Sequence, residues 1–99
     1  MTREDAIRFA ESNNQLNSTQ LHIINELSSE LLRASKKHAP INSAHEGYAV
    51  ILEELDELWD EIKKQKPATD LIYKEALQVA AMALRLIHDV CYKQFPADL

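Results

Sequence analysis

A single glycine in 99 residues, Gly47, constrains this chain more than any other feature. Sheets of several strands need tight turns, and those turns draw on Gly, Asn-Gly or Asp-Gly. Neither dipeptide occurs here. A Rossmann domain or a P-loop is excluded on the same ground, because both need a glycine-rich phosphate loop. Prolines are few as well: Pro40, Pro67 and Pro96. The chain is therefore predicted to be all-α, one helical domain over residues 1–99 with few and short connections.

Charge and cysteine content narrow the function classes. Sixteen acidic against eleven basic residues give a net charge of -5. Such a surface repels the phosphate backbone, so nucleic acid is not an expected partner. It suits metal ions, or substrates bridged by metal ions. The one cysteine, Cys91, excludes an internal disulfide and a Cys-rich zinc site, and a free thiol fits a reducing cytoplasm. The N-terminus, MTREDAIRFAESNNQ, is too charged for a signal peptide. No apolar run approaches ~20 residues, so no membrane span is expected.

Capping signals divide the chain into four helices. Thr2 followed by Asp5 starts a short helix near residues 3–12. Ser12, Asn13, Asn14, Asn17 and Ser18 favour a break after it, although the pattern also allows helix one to run into helix two. Ser18 is the expected cap of a second helix to about Lys37, whose Leu21, Ile24, Leu27, Leu31 and Ala34 share one face. Lys36, Lys37 and His38 suit its C-terminal dipole, and Pro40 is a stop signal. Ser43 and Glu46 form a capping box for a third helix, about 44–65, closed by Pro67. Thr69 or Asp70 is the expected cap of a fourth helix, about 70–94, ending before Pro96. That helix is apolar around most of its circumference, with a polar strip of Lys74, Arg85, His88 and Tyr92. A helix of this kind is central. Three other short helices surround it poorly, and Ala76, Ala80 and Ala83 allow close approach of another helix. A homodimer or homotetramer is therefore expected to complete the bundle.

The third helix carries the chemistry. Residues 45–62, HEGYAVILEELDELWDEI, hold seven acids and no base. Tyr48, Ile51, Leu52, Leu55, Leu58, Trp59 and Ile62 form an apolar face, assigned to core or interface. Glu46, Glu53, Glu57, Asp60 and Glu61 lie opposite or flanking, and Glu54 borders the apolar face. Glu54, Glu57 and Glu61 follow one another a turn apart. Like charges at this spacing cost a few tenths of a kcal/mol per pair. Two readings fit. One is a solvated acidic face, offset by the helix dipole and by Lys63, Lys64 and Lys66. The other is a site for Mg²⁺, which takes carboxylate oxygens and keeps several waters. Glu75 and Gln78, three apart on the fourth helix, face Glu54 and Glu57 if the two helices are antiparallel neighbours, and bundle metal sites are built in this way.

Glu53-Glu54-Leu55-Asp56-Glu57 followed by Glu75 resembles the all-α nucleoside triphosphate pyrophosphohydrolases of the MazG type. Their signature is EExxE on one helix, a spacer, and ExxD on the next. The spacer here is 58–74, 17 residues, and the resemblance covers roughly residues 40–92, with an aromatic after the first motif (Trp59) and an Ala-rich helix after the second. The second motif departs from the pattern, with Gln78 where the family has Asp. The resemblance implies a MazG-like four-helix bundle, metal ligands at Glu54, Glu57 and Glu75 with Gln78 in the fourth place, and Mg²⁺ or Mn²⁺ as cofactor. It implies hydrolysis of a nucleoside triphosphate to monophosphate and pyrophosphate, with Glu53 or Glu57 positioning or deprotonating the water. Gln78 offers a carbonyl oxygen without a charge, so a catalytically impaired scaffold that binds nucleotide, metal or a protein partner is the alternative.

His45, at the mouth of the acidic helix, is a candidate contact to base or phosphate. Lys74 and Arg85 are candidates for phosphate, against a default of solvated surface. Cys91 reads as a small buried apolar residue.

Overall fold

The computed structural model describes residues 2–13 and 15–92, with 9–13 described by backbone alone. Every regular element among them is helical: α1 (Arg3–Asn13), α2 (Ser18–Lys37), α3 (Ala44–Ile62), α4 (Thr69–Leu86) and a π-helical turn, Ile87–Cys91, that continues α4. The all-α expectation holds for these residues. None of the helices is long and apolar enough to cross a membrane.

Local chemistry explains the boundaries. At α1 the Asp5 amide donates to Thr2 Oγ1 (3.1 Å) and the Thr2 amide donates to Asp5 Oδ2 (3.2 Å). At α2 the cap is Asn17, one residue before the expected Ser18. Its Oδ1 accepts from the Gln20 amide at 2.8 Å, while Gln20 Oε1 accepts from the Asn17 amide at 3.0 Å. Asn caps as well as Ser, and glutamine completes the box. Residues 15–17 are not helical, so the break after α1 is present on that side, and residue 14 lies outside the described residues. Ser43 Oγ accepts from the Glu46 amide (3.1 Å), and the Glu46 carboxylate turns back to the Asn42 amide (3.1 Å).

Two ends differ from expectation. Helix α3 stops at Ile62 rather than near 65, because Lys63 is already its C-cap. Proline at 67 drives the preceding residue away from helical geometry, and the chain leaves the helix before reaching it. Helix α4 begins at Thr69, so Thr69 and Asp70 lie inside it. Its cap, Ala68, has no side chain able to cap. Its other end widens into the π-turn at Ile87, and the expected last residues, 93–94, lie outside the described residues together with Pro96.

Helix α4 is the centre, with α3 and α2 both packed on it. Ala34, Ala81 and Met82 form the buried cluster, with Leu27, Val50 and Ile51 against it. Helix α1, exposed along residues 3–8, stands outside this slab. Gly47 is buried where α3 crosses α4: a Cβ there would sit 2.5 Å from Leu86 Cδ1 and 3.2 Å from its Cγ. The lone glycine is thus a contact point between helices, with ordinary helical backbone. The α2–α3 loop is tied to α4 and its π-turn by two bonds. Arg85 Nη2 donates to the Ala39 carbonyl at 2.6 Å, and the Ile41 amide donates to Asp89 Oδ2 at 2.9 Å. Between them Ile41 is buried as a plug.

The apolar face of α3 divides. Val50, Ile51 and Leu58 turn toward the body, whereas Tyr48, Leu52, Leu55, Trp59 and Ile62 are exposed in the single chain. Leu21, Ile23, Ile24 and Leu32 on α2 are exposed as well.

Candidate metal centre

Spacing and packing bring three carboxylates together. Glu54 and Glu57 are one turn apart on α3, and α4 lies alongside, bringing Glu75 to them. One oxygen from each of the three lies within 4.8 Å of the others. Glu54 and Glu75 are half-buried and Glu57 is exposed. Glu54 Oε2 and Glu75 Oε2 are both buried without a hydrogen-bond partner. Buried carboxylate oxygens normally have partners, and leaving one unsatisfied costs about 1–3 kcal/mol or more.

The protonation chemistry follows from that geometry. Desolvation, then the charge of Glu57 and a hydrogen bond with it, and then Glu75 and Glu53, push the Glu54 carboxyl up to about 7. Glu75 is also raised, by desolvation first and then by Glu57, against the opposing pull of Lys74. The lysines expected to offset the acidic face do so elsewhere. Lys63 Nζ pairs with Asp60 at 3.1 Å, and Lys64 Nζ pairs with Glu61 at 2.7 Å. They neutralise the end of α3 and leave the triad negative. The two orphaned oxygens and the all-oxygen donor set fit a hard divalent cation.

Of the other sequence candidates, Glu53 is exposed next to Glu54, and the two line a cleft of about 350 Å³ with Glu46, His38 and Arg85. Gln78 is half-buried, one turn beyond Glu75 and one turn before Met82 on α4. Lys74 is exposed and close enough to Glu75 for its charge to act there. His45 is not brought to the triad: it opens onto a separate shallow cavity with Ala44 and Tyr48.

Arg85 requires a correction. Its place in the polar strip predicts solvated surface, whereas it is 5% exposed. Its guanidinium is turned inward under the α2–α3 loop, held by the Ala39 carbonyl and by a long contact from Nη1 to Met82 Sδ at 3.5 Å. A lone cation in AAMALRLI, on a helix apolar nearly all round, was the available signal. The pairing of Asp89 with Ile41, 48 positions apart, has no signal in the sequence. Asp89 is held below the ordinary carboxylate range by a hydrogen bond with His88 (2.8 Å) and by the Ile41 amide, against desolvation. Cys91 is half-buried.

Comparison with known protein families, with curated proteins and with solved structures finds no match for this chain.

Proposed function

We propose that this chain is a divalent-metal-dependent nucleoside triphosphate pyrophosphohydrolase of the MazG type, working as a homo-oligomer in the cytoplasm. One observation carries the reading: Glu54, Glu57 and Glu75 converge from two helices at the positions that the motif resemblance marks, with two oxygens buried and unsatisfied. Those three residues would hold the cation, and the Gln78 amide oxygen on the adjoining turn would offer a fourth donor. When bound, the cation supplies charge neutralisation on the phosphates and a lower pKa for a coordinated water. Glu53, outside the triad and solvated, positions the attacking water and takes its proton. Water adds to one phosphorus of the α–β anhydride, the bond from that phosphorus to the bridging oxygen breaks, and monophosphate and pyrophosphate separate.

The oligomer rests on surface arithmetic. The chain exposes 7890 Å², whereas a compact monomer of its mass exposes about 5,700 Å². Its radius of gyration is 16.3 Å, against about 13 Å for a compact domain of this length. Helix α1, standing outside the slab, accounts for part of this excess, and the apolar face left open on α3 is the part that a second copy would cover. The open face of Tyr48, Leu52, Leu55, Trp59 and Ile62 is where such a partner would sit. Sedimentation should give a dimer or tetramer; a monomer at micromolar concentration refutes this part.

Incubation with Mg²⁺ or Mn²⁺ and a panel of ribo- and deoxynucleoside triphosphates should release pyrophosphate. No release, together with no metal-dependent rise in melting temperature, refutes the reading. A second reading rests on Gln78, which lacks the charge of the family's Asp: the same scaffold binds metal or nucleotide, or a protein partner, without turnover. A thermal shift with metal but no release from any nucleotide would select it.

A further inference from the structure

Among the described residues Arg85 is the buried charged side chain, and no carboxylate lies within ion-pairing distance of it. Its five N–H donors meet one carbonyl, that of Ala39, and one weak acceptor, Met82 Sδ. A carbonyl dipole does not balance a buried cation, and an unbalanced one is costly. Asp89 is near enough for the two charges to be felt, but Oδ2 accepts from the Ile41 amide and Oδ1 contacts His88. Arg85 therefore keeps unspent donors in a fork that matches a tetrahedral oxyanion.

Charge decides which side of Arg85 such an anion occupies. Toward α3 the cleft is walled by Glu46, Glu53 and Glu54, which repel it. On the opposite side, under the end of α2, lies a cavity of about 190 Å³ lined by Ser35, His38, Pro40, His88 and Asp89 together with Arg85. The Ser35 hydroxyl and two imidazoles can donate there, and this side carries one ionised carboxylate, Asp89, bonded by the Ile41 amide and His88, against three on the other. A second cavity of about 380 Å³ shares Ser35, Arg85, His88 and Asp89 with it and adds Ser28, Leu31 and Leu32. The first has room for a phosphate group. The second offers apolar walls and a hydroxyl to an organic body, in the size range of small-molecule sites. The π-turn places His88 and Asp89 at the junction, and such turns recur at functional sites.

We propose that the cavity between α2 and the π-turn binds a small phosphomonoester, with Arg85 as the principal phosphate ligand and Ser35, His38 and His88 around it. The site needs no metal and is independent of the carboxylate centre. Inorganic phosphate and a nucleoside monophosphate share the anion and differ in the body, so both are titrated in EDTA by calorimetry. Both should bind, the mononucleotide at least about tenfold more tightly. Ser35→Ala and His88→Ala, at exposed positions, should each weaken binding roughly fivefold. Arg85→Lys, checked for native helicity, should weaken it more, since Lys lacks the fork. Glu54→Gln should leave it unchanged. No binding of either ligand at millimolar concentration, equal affinities for the two, or loss in Glu54→Gln but not in Ser35→Ala would each overturn the proposal. The EDTA condition separates this result from the fate of the metal centre.

Discussion

Glu54→Gln should stabilise the metal-free protein at pH 8 and abolish its response to metal. The carboxyl of Glu54 is held at about 7 instead of 4.5, so the folded state prefers it protonated. A folded pKa raised above the unfolded one contributes stability that is full below about pH 4.5 and is lost as pH rises through about 7. Taken alone, that displacement corresponds to about 3 kcal/mol. Glu54 is only half-buried, and solvent screening reduces the realised cost to about 1 kcal/mol. Glutamine copies the neutral acid: it keeps the shape, and its amide can donate to Glu57 as the protonated carboxyl does. In EDTA at pH 8 the variant should therefore melt about 4–8 °C above wild type, and the two should converge near pH 4.5. With Mg²⁺ or Mn²⁺ at pH 8 the order should reverse, wild type gaining and the variant not. The metal-induced shift of wild type should also grow from pH 6 to pH 8, as the carboxyl ionises. Differential scanning fluorimetry over this grid is sufficient. A variant less stable than wild type at pH 8 in EDTA, or one that keeps the metal response, refutes the reasoning and returns α3 to the solvated-face reading.

Gly47→Ala gains about 0.5–1 kcal/mol of helix propensity, but the new methyl meets Leu86. Overpacking of about 1–3 kcal/mol should prevail, and urea unfolding should show a net loss of about 1 kcal/mol. Asp89→Ala strands the amide of buried Ile41 and should cost about 1–3 kcal/mol; Asp89→Asn keeps an acceptor and should cost less. Because the Asp89 carboxyl is depressed, its contribution is present above about pH 3.8 and is lost as pH falls through its lower folded value, which acid titration of the Asp89→Asn variant against wild type checks. Gln78→Asp should tighten Mn²⁺ binding several-fold by adding an anion; unchanged calorimetric affinity would place position 78 outside the centre.

The helices were legible because their signals are local. Thr2 and Ser43 cap as their sequences indicate, and the miss at α2 exchanged one good cap for its neighbour. The facing of Glu54 and Glu57 by Glu75 was also legible: each helix has a 3.6-residue period, and one short connection makes α3 and α4 antiparallel neighbours. Three features were not legible, and all depend on long-range partners. The π-turn at Ile87 has no composition signal of its own; it occurs where Arg85 and Asp89 tie α4 to residues 39 and 41, more than forty positions upstream. The inward turn of Arg85 has the same origin, since a cation on an apolar helix reads as surface until a carbonyl from another segment is found beside it.

The third concerns the exposed half of α3. Periodicity assigns Tyr48, Leu55 and Trp59 to an apolar face but does not say which molecule covers it. Within one chain α4 covers the Val50–Ile51–Leu58 side and leaves the other open. By the helical period Glu54 lies within the side packed on α4 and Glu57 at its edge, whereas the open apolar face lies beyond Ile51 and Leu58. An α3 held from both sides would fix Glu54 and Glu57 rigidly, and preorganised ligands are what metal affinity depends on. Assembly and metal binding should therefore be coupled. Trp59→Ala, a neutral change on the open face turned away from the three carboxylates, should disperse the oligomer and weaken Mn²⁺ binding together. Dispersal with metal affinity intact would separate the two and show that α4 alone suffices to hold the centre.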